Sequence, residues 1–117
     1  MKFVVLLMSE GEMPAWDQQT PEQQAAAMQR HDDFGAACAA REGVSILTGE
    51  ALDGAPTVVR TRGGQRTVTE GPYAEAVEQL GGFYVVETPD LETLLELTEH
   101  LPPYDLQLSP IGEVPES

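Results

Sequence analysis

The sequence predicts an α+β protein on the ferredoxin-like βαββαβ plan, with a hairpin and a short helix inserted between its two halves. Three observations carry this. Apolar runs at Phe3–Met8 and Phe83–Val86 have the length and composition of buried strands. Helical patterns with strong start signals follow each of them, at Thr20 and at Asp90. Between the halves, Gly63-Gly64 joins two short β-prone stretches in the manner of a hairpin. No repeat or linker interrupts the order, and a chain of 117 residues makes one domain, residues 1–117, able to fold unaided.

Taken in order, Lys2–Met8 is a strand in which both alternating sets are apolar, so both of its faces need cover. Ser9–Gln19 is a polar loop whose Trp16 either packs back on the body or forms a lid over a pocket. Thr20-Pro21-Glu22-Gln23 begins a helix: Thr20 caps, Pro21 suits the first position and Gln23 completes a capping box. The helix extends to about Glu42 and ends at Gly43. At about 100° per residue, Ala27, His31, Phe34 and Cys38 share its inward arc. A second strand lies within Val44–Leu52, then the hairpin strands Thr57–Arg62 and Gln65–Thr69.

A short helix over Tyr73–Leu80 precedes a strand over Gly82–Thr88. Asp90 caps the second long helix, whose buried stripe is expected at Leu91, Leu94, Leu95, Thr98 and Leu101 before Pro102-Pro103 stop it. Asp105–Gly112 alternates and is the last strand, at an edge or half exposed. Two helices cover one face of such a sheet. The doubly apolar strands therefore predict a homodimer in which a second copy covers the other face.

Six basic against twenty acidic residues give a net charge of −14. Such a surface repels phosphate backbones and anionic lipid, so neither nucleic acid nor a membrane is an expected partner. Arg60, Arg62 and Arg66 concentrate half of the positive charge on the hairpin, as an anion-facing patch or as edge charges that prevent aggregation. The apolar N-terminal run is too short for a membrane span and lacks a cleavage pattern, so a cytoplasmic protein is expected. Cys38, the single cysteine, sits among alanines as a small hydrophobe, and no metal motif or cofactor fingerprint is present.

The most specific string is Glu70–Glu87, EGPYAEAVEQLGGFYVVE. It resembles the signature of the YCII-related proteins of the DGPF type, roughly D-G-P-F-A-E-x-K-E-Q-L-G-G-F-Y. Glu70 stands in place of Asp, Tyr73 in place of Phe and Val77 in place of the frequent Lys; the remaining positions match. The resemblance implies a dimeric α+β barrel, and a histidine early in the first helix working with an acidic residue beside the sheet. His31 matches that histidine by position and Glu70 matches the aspartate by motif, although Met28-Gln29-Arg30 depart from the usual local pattern.

His31 and Glu70 are accordingly the candidate acid–base groups, in a small-molecule pocket lined by Phe34, Tyr73, Tyr84 and Trp16. Each has a plainer alternative. His31 can be a core histidine, and Glu70 can cap the short helix that follows it. Two other functional readings stand beside the acid–base one: a ligand-binding or regulatory accessory without turnover, implied by the association of DGPF-type relatives with extracytoplasmic-function sigma factors, and a dimeric scaffold with no pocket function.

Overall fold

The capping box expected at Thr20 forms: the Gln23 N–H donates to Thr20 Oγ1 at 3.1 Å and the Thr20 N–H donates to Gln23 Oε1 at 2.9 Å. A computed structural model of the chain describes residues 1–11, 14, 16–53, 55–71, 73 and 80–114. Along it run β1 (Lys2–Gly11), α1 (Pro21–Ala40), β2 (Ser45–Ala51), β3 (Thr57–Arg62), β4 (Gln65–Glu70), β5 (Leu80–Glu87), α2 (Leu91–Thr98) and β6 (Tyr104–Pro110). The protein is α+β, with two helices and antiparallel sheets. One four-stranded sheet has the order β2-β5-β1-β6, and β3 and β4 form a separate two-stranded ribbon.

The strand register sorts the apolar residues of β1 into two sets. Phe3, Val5 and Leu7 stand opposite Val86, Tyr84 and Gly82 of β5 on one side, and opposite Pro110, Leu108 and Leu106 of β6 on the other. This set faces the helices and is buried with Phe34, Cys38, Val44, Leu94, Leu97 and Leu101. Val4, Leu6, Phe83 and Val85 alternate with it, point away from the helices and stay half buried. The chain is a slab 19 Å thick, enough for one sheet and one helix layer. Its radius of gyration, 16.4 Å, exceeds the ~13 Å of a compact chain this long, consistent with a flat body and a largely exposed ribbon.

Three expectations change. Leu91 and Leu95 do not belong to the buried stripe: they are 42% and 50% exposed, while Leu97 is buried. With only eight residues, α2 seats on the sheet through Leu94 and Leu97, and Leu101 beyond its end completes the contact. Asp90 caps it as expected, its Oδ1 accepting the Thr93 N–H at 2.7 Å. Next, α1 stops at Ala40, short of Glu42. Finally, Leu80 and the double glycine are part of β5 rather than a break before it. Gly82 fits there because a Cβ would meet the Glu50 carbonyl oxygen of β2 at 2.8 Å, so the strand needs glycine to lie this close to its neighbour. The helix expected over Tyr73–Leu80 otherwise falls on residues 74–79, outside those described.

Candidate functional site

His31 sits midway along α1, on the arc that buries Ala27, Phe34 and Cys38, and is itself only half buried. Its ring therefore spans the boundary between core and solvent. From the sheet below, Tyr84 of β5 rises to meet it, with His31 Nδ1 and Tyr84 Oη 2.6 Å apart. Phe34 packs one turn further along α1 against the same tyrosine, ring centroids 5.1 Å apart. The third ring is Tyr104 at the start of β6, 6.0 Å from His31 against 5.9 Å for Tyr84, both tilted. An imidazole is thus held between two phenols over an aromatic floor.

The electrostatics follow from burial. Desolvation lowers the pKa of His31, only partly offset by the neighbouring Asp32 carboxylate, so the neutral imidazole is favoured. Burial raises the pKa of Tyr84, with smaller contributions from Tyr104, Asp32 and Cys38, and burial raises that of Tyr104. Both phenols hold their protons at neutral pH. Burial likewise pushes the Cys38 thiol up to about 11, which makes it a packing group rather than a nucleophile.

The candidates named from sequence fall in three places. His31, Phe34 and Tyr84 come together as described. Glu70 closes β4 at the end of the ribbon, with its side chain exposed, and among the described residues no hydrogen bond or ion pair joins it to His31. Tyr73 is 65% exposed and belongs to the ribbon: the Arg60 guanidinium lies 4.8 Å over its ring and donates to its carbonyl oxygen. Trp16 opens a 3-10 turn, Trp16–Gln18, half exposed, and its carbonyl accepts from Gln24 Nε2 at 2.9 Å.

Two contributors were not anticipated. Tyr104 lies one residue before the expected start of the last strand, directly after the proline pair. Arg30, beside His31, donates from Nε and Nη2 to the Leu101 carbonyl at 3.2 and 3.0 Å, and from Nη2 to that of Glu99 at 3.3 Å. That clamp fixes the turn leading into Tyr104 against the helix that carries His31. Only the aromatic character of Tyr104 and the position of Arg30 next to the histidine hinted at either.

The family model of the YCII-related domain matches residues 1–114. The chain belongs to the YCII-related domain family. No curated protein matches it. Among the described residues of this YCII-related domain, no group of three or more His, Cys, Asp or Glu side chains gathers closely enough to hold a metal ion. Among the described residues, no helix is long and apolar enough to cross a membrane. Two surface depressions, about 950 and 380 Å³, are lined by residues 1–2, 87 and 111–114 and by residues 35, 38–39 and 44–46 respectively, and His31 borders neither. The arrangement is a polar hydrogen-bonded pair at the rim of the core, its imidazole half buried. Such a pair can pass a proton: the tautomer that leaves Nδ1 free accepts from the phenol and presents an Nε2–H, and the other presents an Nε2 lone pair.

Proposed function

We propose that this YCII-related domain binds a small molecule and acts on it by acid–base chemistry, with His31 as the reactive group and Tyr84 as its hydrogen-bond partner. The observation that supports this reading most is the 2.6 Å bond between His31 Nδ1 and Tyr84 Oη. A half-buried imidazole kept neutral and fixed through one nitrogen is suited to taking or giving a proton near neutral pH. Tyr104 and Tyr84 flank it with apolar ring faces that favour a planar or unsaturated ligand. The acid–base role is given to the His31–Tyr84 pair rather than to His31 and Glu70, because only the first pair is joined by a hydrogen bond.

The same reading includes a homodimer on the ferredoxin-like, dimeric α+β barrel plan. Its support is the open sheet face, where Val4, Leu6, Phe83 and Val85 form a half-buried apolar patch. The test is native mass spectrometry of protein purified without denaturation, followed by thermal-shift titration with any molecule retained. Retention is expected in the wild type and loss of at least tenfold in affinity in His31→Gln and Tyr84→Phe. Binding indifferent to both substitutions would overturn the assignment.

A further inference from the structure

Gly49 of β2 stands directly opposite Tyr84 of β5 in the sheet. A Cβ placed on Gly49 would lie 2.6 Å from Tyr84 Cδ1 and 2.8 Å from its Cε1, closer than real Cβ contacts ever come. The obstacle is the near edge of an aromatic ring, which cannot yield as the tip of a flexible side chain can. Phe34 packs against that ring and His31 holds its hydroxyl. The backbone gives no other reason for glycine, since Gly49 is not among the glycines of positive φ. A strand interior ordinarily disfavours glycine, so its presence here calls for a steric cause.

We propose that Gly49 is the positioning residue of the His31–Tyr84 pair: the side chain it lacks is the volume in which the Tyr84 ring lies when its hydroxyl reaches His31 Nδ1. A single methyl at this site displaces the ring, draws the phenol away from the imidazole and moves one of the two aromatic walls beside it. The proposal builds on the functional reading of the pair, yet its geometric content is open to measurement without any ligand. Around His31 stand Tyr84 from β5 and Tyr104 from β6, with Asp32 and Arg30 beside it on its own helix; burial lowers its pKa and the Asp32 carboxylate partly offsets this.

The experiment is solution NMR of the full chain as wild type and as Gly49→Ala, with Gly35→Ala as control because a Cβ at Gly35 meets nothing within 4 Å. In Gly49→Ala the nuclear Overhauser contacts between the Tyr84 and His31 rings should be lost. The His31 titration midpoint should also rise toward its ordinary value as water reaches the imidazole. Gly35→Ala should change neither. Unchanged ring contacts and an unchanged midpoint in a folded Gly49→Ala protein would overturn the proposal. Should Gly49→Ala fail to fold, the double variant Gly49→Ala, Tyr84→Ala must fold as well as Tyr84→Ala alone, because the ring that clashed is gone; a double variant that is worse also overturns it. If Tyr84→Phe leaves ligand binding intact while Gly49→Ala separates the rings, the functional reading of the pair fails and the positioning role stands.

Discussion

The two faces of the four-stranded sheet are built from the same strands and nearly the same residue types, yet they have different fates. On β1, Phe3, Val5 and Leu7 go under the helices while Val4, Leu6 and Met8 do not. On β5, Val86 is wholly buried and Val85, the next residue back, is not. Composition is therefore a poor guide to which side of a doubly apolar strand is core; the difference lies in what covers each face. The helix-covered side is sealed by one chain's own side chains, and the other side offers an apolar surface that a monomer leaves wet.

A charge placed on either face tests that contrast most severely. Val86→Asp puts a carboxylate into the sealed core with no partner, at a cost of about 3–5 kcal/mol or more, a large part of a domain's total stability. Urea denaturation should show loss of the folded state or a midpoint far below wild type. Val85→Asp is its counterpart on the open face. There the folded monomer should survive within roughly 1 kcal/mol of wild type, while sedimentation at micromolar concentration should show a shift from dimer to monomer. A Val85→Asp protein that unfolds as Val86→Asp does would mean the faces are not distinct in the way described. A wild type that sediments as a monomer would remove the dimer.

A smaller effect sharpens the comparison from the covered side, where His31 sits at the rim. Burial lowers its pKa in the folded chain below the ordinary value of 6.5. The unfolded chain therefore takes up the proton first as pH falls. Stability contributed by the neutral imidazole is full above 6.5 and is lost as pH drops from there through the folded value. Urea midpoints measured between about pH 7 and pH 5 should fall for wild type more than for His31→Gln, whose side chain does not titrate. Equal slopes in the two proteins would show that the imidazole is not desolvated by folding.

Much of this architecture is legible in the residues themselves because local chemistry decides it. Thr20 and Gln23 make a capping box wherever they start a helix, Asp90 caps by the same physics, and Gly63-Gly64 turn a hairpin with φ of 58° and 81° that suit glycine. The inward arc of α1 was readable from the helical spacing of Ala27, His31, Phe34 and Cys38, which the sheet buries or half buries. The stripe of α2 was not, because leucines lie on several sides of an eight-residue helix and two different stripes satisfy the spacing; the sheet beneath selects Leu94 and Leu97. His31 was visible as an inward histidine, but its partner was not identifiable. The pairing with Tyr84 depends on strand register and on a missing Cβ at Gly49, and Tyr104 arrives from a strand more than seventy residues away in the chain. Glu70 drew notice through a motif, and a motif gives neighbours in sequence without giving neighbours in space.

The place of β1 in the sheet bears on how the protein is made. β1 is paired on both sides, but to β5 and β6, which are the last two strands of the chain; β2, the next strand to be synthesised, hydrogen-bonds to β5 instead. Phe3–Met8 therefore emerges from the ribosome with no strand in the sheet to join until Leu80–Glu87 has followed it. Until then, an apolar segment of high β propensity with no charge of its own lacks its native partners and is free to pair with other nascent chains. Closing so long a loop also delays the first native strand pair. β1 is in this sense made well before it is secured, and the interval between those events is where the chain is most exposed to aggregation.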